Sequence, residues 1–266
     1  MKAIVSDIHA NMAAADAVMK DIAAHGITDK DVICLGDIVG YGPQPLEAVD
    51  LCMRFPVNLM GNHDEAVVFE PIGFNFRALT SIRWTKQKLE PGLLSFANKK
   101  RHAFLKELRI TYREEGVLFV HGSPREPTTE YVLRGDCEDA NKGRNPRKMK
   151  EIFQKIDTIC IVGHTHIPCI IEEVPDPNDA ERRSYRYRSE KDANYELVPQ
   201  TGKKYLLNAG AVGQPRDGDI RASYVLWDGN KFTWRRIEYD VQKTCALIRK
   251  IKQLDDYNAE RLELGI

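Results

Sequence analysis

Met1-Lys2-Ala3-Ile4-Val5-Ser6-Asp7-Ile8-His9 opens the chain with a short apolar run that ends in a carboxylate and an imidazole two residues apart. The run is too short for a helix and does not alternate apolar with polar, which predicts a strand buried on both faces. Four more runs repeat the arrangement. Asp31–Leu35 ends in Gly36-Asp37, Pro56–Met60 in Gly61-Asn62-His63-Asp64, Val117–Val120 in His121-Gly122, and Thr158–Val162 in Gly163-His164-Thr165-His166. Between the first two lies the alanine-rich Met12–His25, with Asn11 placed to cap a helix and Gly26 to stop it. Pro45–Arg54 and Thr80–Leu108 supply further helical material, the latter broken by Pro91-Gly92. Strand, helix, strand in succession predicts an α/β layered fold. Its ligands belong at the carboxyl ends of the strands, so residues far apart in sequence should meet at one edge of a sheet.

The last third changes character. Tyr205–Leu207 and Ala222–Trp227 read as strands, and Asp228-Gly229 before Lys231–Tyr239 is a hairpin signal. Leu247, Ile251 and Leu254 at helical spacing predict one amphipathic helix over Val241–Leu264. Pro175–Asn194, with the charged Glu181–Asp192 and the interleaved Tyr185 and Tyr187, reads as an exposed loop or long hairpin. Chemistry-bearing residues spread from Asp7 to His166 must converge, so a single domain over 1–266 is expected.

Composition removes several classes. Lys+Arg and Asp+Glu both total 39, and without a basic surplus unspecific binding to nucleic acid or to an anionic membrane is not expected. A hydrophobic fraction of 42% excludes wholesale disorder. No apolar stretch approaches the ~20 residues of a membrane span, and Met1–Ile8 meets Asp7 too soon for a cleaved signal. Six scattered cysteines without a Cys-x-x-Cys pair suit a reducing, cytoplasmic setting.

The strand-end residues suit a metal centre. Aspartate and neutral imidazole ligate divalent cations, and an Asn carbonyl can complete the shell. Asp-x-His and His-x-His put alternate side chains on one side of an extended backbone. A carboxylate such as Asp37 can bridge two ions ~3.5–4 Å apart, the spacing that clamps a phosphoryl group. Of the seven histidines, His9, His63, His121, His164 and His166 fall at strand ends, whereas His25 and His102 lie in helical stretches and read as surface. One such histidine alone would read as structural; five beside Asp7, Asp37 and Asn62 point to metal.

In this order, Asp-x-His, Gly-Asp, Gly-Asn-His-Asp, His-Gly and Gly-His-Thr-His resemble the calcineurin-like metallophosphoesterase superfamily, and Asn208-Ala209-Gly210 with Gly213-Gln214-Pro215-Arg216-Asp217 extends the likeness to about residue 217. The nearest likeness is to compact prokaryotic members grouped with phosphodiesterases and diadenosine tetraphosphate hydrolases. The resemblance implies a four-layer α/β/β/α sandwich with two divalent metal ions (manganese, iron, zinc or nickel) at the strand ends. It implies that Asp7, His9 and His166 hold the first metal and Asn62, His121 and His164 the second, with Asp37 bridging. His63 would face the substrate as general acid, and Asp64 would orient it. The implied reaction is hydrolysis of a small phosphodiester or nucleotide by a hydroxide held between the cations. Rival readings are a diadenosine tetraphosphate hydrolase or protein phosphatase on the same scaffold. A non-catalytic binding module is a third, and loss of the substrate-facing histidine would mark it; His63 is present.

Softer features have two readings each. Arg125 and Arg216 either grip substrate phosphates, with Asn62, or tie loops together. Tyr41, Phe74, Phe76 and Trp84 read as core before they read as an aromatic wall. Lys142, Arg144, Arg147, Lys148 and Lys150 read as a solvated helix face rather than a nucleic-acid footprint.

Overall fold

A computed structural model, which describes residues 1–92, 95–176, 179–189 and 195–266, turns the apolar runs into the centres of two six-stranded sheets. In the first, the order is β3 (Val57–Asn58), β2 (Val32–Cys34), β1 (Lys2–Val5), β11 (Ala222–Trp227), β12 (Phe232–Ile237) and β9 (Glu196–Leu197). The second runs β4 (Thr111–Glu114), β5 (Val117–Val120), β6 (Ile159–Val162), β10 (Tyr205–Asn208), β7 (Cys169–Asp176) and β8 (Asp179–Arg188). β1, β2 and β3 are parallel to one another, as are β5, β6 and β10.

The unbroken apolar runs follow from burial on both faces. In β1, Ile4 points between the sheets, where it meets Ile33, Phe119, Ile161 and Trp234, while Ala3 and Val5 point outward. On the outward side they pack beneath α1 (Met12–Ala24), α2 (Pro45–Cys52), α3 (Asn62–Val68), α4 (Phe76–Leu89) and α5 (Phe96–Lys106). The second sheet repeats the scheme, with Leu118, Val120 and Cys160 covered by α6 (Arg134–Asn141) and α7 (Pro146–Gln154). The layers are therefore α/β/β/α. Each fully buried large aliphatic side chain contributes roughly 1.5–3 kcal/mol to holding them together. Asn11 caps α1 as expected, its side-chain oxygen accepting from the Ala14 N–H.

Two expectations are corrected, and the exposed-loop-or-hairpin reading of 175–194 resolves to the hairpin. The stretch 241–264 is two helices, α8 (Val241–Lys250) and α9 (Tyr257–Leu264), that fold back on each other. Cys245, Ile248, Ala259 and Leu262 bury together against Trp84, which one straight helix could not achieve, and Asp255 accepts from the Tyr257 N–H at the second start. The stretch 175–194 is a hairpin as far as residue 189, except that 177–178 and 190–194, with part of the charged run 181–192, lie outside the described residues. It is not wholly exposed: Tyr185 is buried 5.0 Å from the Phe153 ring. The chemistry-bearing strand ends belong to two sheets, not to one sheet edge. Among the described residues no helix is long and apolar enough to cross a membrane.

Candidate metal centre and cleft

The loops after β1, β2 and β6 hold Asp7, His9, Asp37, His164 and His166 at φ between +47° and +65°. Left-handed backbone costs a non-glycine residue roughly 1–2 kcal/mol and persists only where the surroundings over-determine it. Here they do. The Asp7 N–H donates to the Gly36 carbonyl at 3.0 Å, and the His9 N–H to the Asp37 carbonyl at 3.0 Å. Two glycines make room: a Cβ on Gly61 would collide with Asp37, and one on Gly163 with Ser6 and Asp7. Asn208 braces the last loop, its amide donating to the Gly163 carbonyl at 2.6 Å and to the Thr165 hydroxyl at 2.9 Å.

These loops aim their side chains at one buried spot. Donor atoms of Asp7, His9, Asp37 and His166 lie within 4.8 Å of one another, and so do those of Asp37, His121 and His164. Asp37 belongs to both groups. Its Oδ2 stands 3.6 Å from His9 Nε2 and 3.4 Å from His121 Nε2, while its Oδ1 accepts from the His63 N–H at 2.8 Å. The Asn62 Oδ1 joins the second group 3.3 Å from His121 Nε2.

The outer nitrogens show which atoms are left to ligate. His9 Nδ1 meets the Val39 carbonyl at 3.0 Å, His121 Nδ1 that of Leu35 at 3.2 Å, His164 Nε2 that of Thr129 at 3.0 Å, and His166 Nδ1 that of Gln214 at 2.5 Å. Only an N–H can satisfy a carbonyl, so each contact assigns the ring tautomer and turns the other nitrogen's lone pair inward. With all four rings neutral those lone pairs face each other, His9 Nε2 against His166 Nε2 at 3.2 Å and His121 Nε2 against His164 Nδ1 at 3.1 Å. The buried Asp7 Oδ1 also finds no hydrogen-bond donor. Facing lone pairs and an orphaned carboxylate oxygen fit a cation between them.

Electrostatics agree. Burial keeps His9 well below the ordinary imidazole range and His164 at about 3, so both stay neutral and ready to ligate. Burial also works against a charge on His121, yet the Asp37 carboxylate outweighs it and holds that imidazole up at about 9. A protonated imidazole cannot ligate. Metal uptake at pH 7 should therefore release about one proton, and affinity should rise about tenfold per pH unit toward pH 9. Calorimetry in buffers of differing ionisation enthalpy checks this; uptake with no proton release would refute it.

His63 sits beside this cluster, its ring 4.9 Å from that of His9, 4.5 Å from Tyr41 and 5.1 Å from Phe74. It lines an open cleft of about 700 Å³ with Asn62, His164, Tyr131, Phe69 and Phe74. The Asp64 carboxylate does not reach it. Its oxygens accept from the Val39 N–H at 3.2 Å and the Gly61 N–H at 3.1 Å, so it ties the loops after β2 and β3 and acts on His63 only through them. Burial, then Asp37, pushes this carboxyl up to about 7.

The softer candidates divide. Arg125 is held by Glu130 at 2.5 Å and Glu151 at 2.7 Å, which is the loop-tying role and leaves it no free fork for phosphate. Arg216 makes no ion pair among the described residues; it touches the Gln214 side chain at 2.9 Å, and its buried Nε is unpartnered. Tyr41 and Phe74 line the cleft, Trp84 is core, and Phe76 is 79% exposed. Lys142, Arg144, Arg147 and Lys150 are solvent-exposed as expected, whereas Lys148 is half-buried and pairs with Asp136 at 2.8 Å. Sequence reasoning missed Tyr131, whose ring stacks on His164 with centroids 3.8 Å apart, because nothing in its neighbourhood marks it.

Residues 1–231 match the model of the calcineurin-like phosphoesterase superfamily domain, and the chain belongs to that superfamily. It is a metal-dependent hydrolase acting on phosphoric esters. An uncharacterized protein of Methanocaldococcus jannaschii is 35% identical over 271 residues, covering 100% of this chain and 98% of that protein. A metallophosphoesterase from Sphaerobacter thermophilus, 32% identical, superimposes over 99% of both chains with a TM-score of 0.76. A hypothetical protein of Pyrococcus horikoshii, 17% identical, shares the fold with a TM-score of 0.67, over 100% of this chain and 98% of its own.

Proposed function

We propose that the chain, as one domain, hydrolyses small phosphodiesters or nucleotides with two divalent cations. Asp7, His9 and His166 hold one cation, Asn62, His121 and His164 the other, and Asp37 both. The observation that carries this reading is the placement of Asp37 Oδ2 between the two histidine groups. Manganese, iron, zinc and nickel all suit this nitrogen and oxygen donor set. When bound, such a pair supplies an activated water and Lewis-acid stabilisation of the phosphoryl oxygens.

The chain's own residues do the rest. Asn62 fixes the phosphate beside the second histidine group, and the unpaired Arg216 grips its outward oxygens. His63 gives a proton to the leaving oxygen, a contribution worth roughly 10²–10⁴-fold. Burial, opposed by Asp37 and reinforced by Arg216, lowers His63 to about 4, so its ring is neutral near pH 7. Phe74 and Tyr131 supply flat apolar walls for the leaving group.

The test is a metal-by-substrate activity matrix on stripped protein. It pairs bis-nitrophenyl phosphate, nitrophenyl phosphate, dinucleoside polyphosphates and a phosphopeptide with each metal. Diester or nucleotide turnover with one of the four metals is expected; preference for the phosphopeptide would overturn the substrate assignment. Arg216→Ala should raise KM about ten- to a hundredfold with a smaller change in kcat, since it removes a charge-assisted contact of about 1.5–3 kcal/mol. Unchanged KM would remove Arg216 from the site.

A further inference from the structure

A second cavity of about 620 Å³ shares Tyr41 and Asn75 with the cleft and is lined beyond them by Phe76, Arg77, Asp255, Tyr257, Asn258 and Arg261. It is built mainly by α4 and α9. Its two arginines differ in kind. Arg77 is neutralised by Asp255 at 3.3 Å and lies over Tyr257 at 4.2 Å. Arg261 meets no Asp or Glu side chain among the described residues, and its Nε donates to the main-chain oxygen of Ile266 at 2.8 Å. Its guanidinium carbon stands 5.8 Å from the centre of the Tyr41 ring, the same distance as that of Arg216.

Two half-buried guanidinium groups thus share one aromatic ring, and no Asp or Glu side chain among the described residues balances either. Burial, then Arg216, lowers Arg261 below its ordinary range, so the pair is held together against its own repulsion. Next to it, Asn258 is only 1% exposed, and neither its amide nitrogen nor its oxygen has a partner among the described residues. An unpartnered buried amide costs about 1–3 kcal/mol. With Asp255 taken up by Arg77, a guanidinium that no Asp or Glu side chain among the described residues offsets and an idle amide line one cavity and describe a place suited to an anion. The Tyr41 ring lies 4.5 Å from His63, so Arg261 stands within about 10 Å of that ring.

We propose that Arg261 and Asn258, with Arg216, form a second anion subsite that holds a further phosphoryl group of the substrate, so the preferred substrates carry two or more phosphoryl groups. This rests on the phosphoesterase reading above. A phosphoryl group suits the subsite better than a carboxylate because it brings three acceptor oxygens and close to two charges against two guanidinium forks and an amide.

The test is calorimetric titration of orthophosphate and of methylenediphosphonate, two phosphoryl groups joined by an uncleavable carbon, into manganese-loaded and into EDTA-stripped protein. The loaded wild type should bind the diphosphonate at least tenfold more tightly than orthophosphate. Arg261→Gln should remove most of that preference and weaken diphosphonate binding to the stripped protein at least tenfold, whereas Arg261→Lys should stay within threefold of wild type. Circular dichroism of each variant identifies loss of fold, and the Lys variant then carries the comparison. A diphosphonate preference untouched by Arg261→Gln in folded protein would overturn the proposal, even if esters are hydrolysed. Loss of that preference in a protein that hydrolyses no ester would sink the enzymatic reading and leave the anion site standing.

Discussion

Asp37→Ala should lower kcat/KM by about 10³-fold or more, on the order of 4 kcal/mol of transition-state stabilisation, and take bound metal from two equivalents to one or none. Among the described residues no other side chain has donor atoms in both groups. The substitution has a second effect that must be separated from the first. Asp37 Oδ1 accepts the buried His63 N–H, and leaving that donor unpaired costs about 1–3 kcal/mol of stability. Asp37→Asn keeps an oxygen for the N–H and the volume of the side chain while removing the negative charge. It should fold like the wild type yet lose nearly as much activity and metal as the alanine variant. An Asn variant that retains both cations and full turnover would contradict the bridging role.

His63→Ala should cost about 10²–10⁴-fold in kcat and leave metal content near wild type. The two quantities part because His63 Nδ1, buried and unpartnered, belongs to neither ligand group. If the ring protonates the departing oxygen, the loss should grow with the basicity of the leaving group. Turnover of a nitrophenyl ester should fall least and that of an alkyl ester most. A uniform loss across leaving groups would make His63 a positioning residue, and full activity would remove it from the reaction.

How much of this was legible in the sequence depends on what each residue does. Asp7, His9, Asp37, Asn62, His121, His164 and His166 could be read because their types carry the chemistry and their places after non-alternating apolar runs fix their location. What those runs did not disclose is that two sheets share the work, since β2 and β5 look alike whichever sheet they join. Arg125 and Arg216 were indistinguishable in sequence. Only the approach of Glu130 and Glu151 to one of them, and of no carboxylate to the other, separates their roles. Tyr131 and Arg261 lie on segments whose local pattern is ordinary, and tertiary packing alone brings them to His164 and Tyr41. The break between α8 and α9 had a local signal in Asp255-Asp256, a pair suited to starting a helix, but the helical spacing of Leu247, Ile251 and Leu254 runs across it.

Diffraction from manganese-soaked crystals, recorded at an energy where manganese scatters anomalously, tests the central claim most directly. Two peaks ~3.5–4 Å apart are expected. One should lie among Asp7, His9 and His166, the other among Asn62, His121 and His164, with Asp37 touching both. An absence of peaks there at saturating manganese, or peaks bound by other residues while these seven side chains point elsewhere, would contradict it.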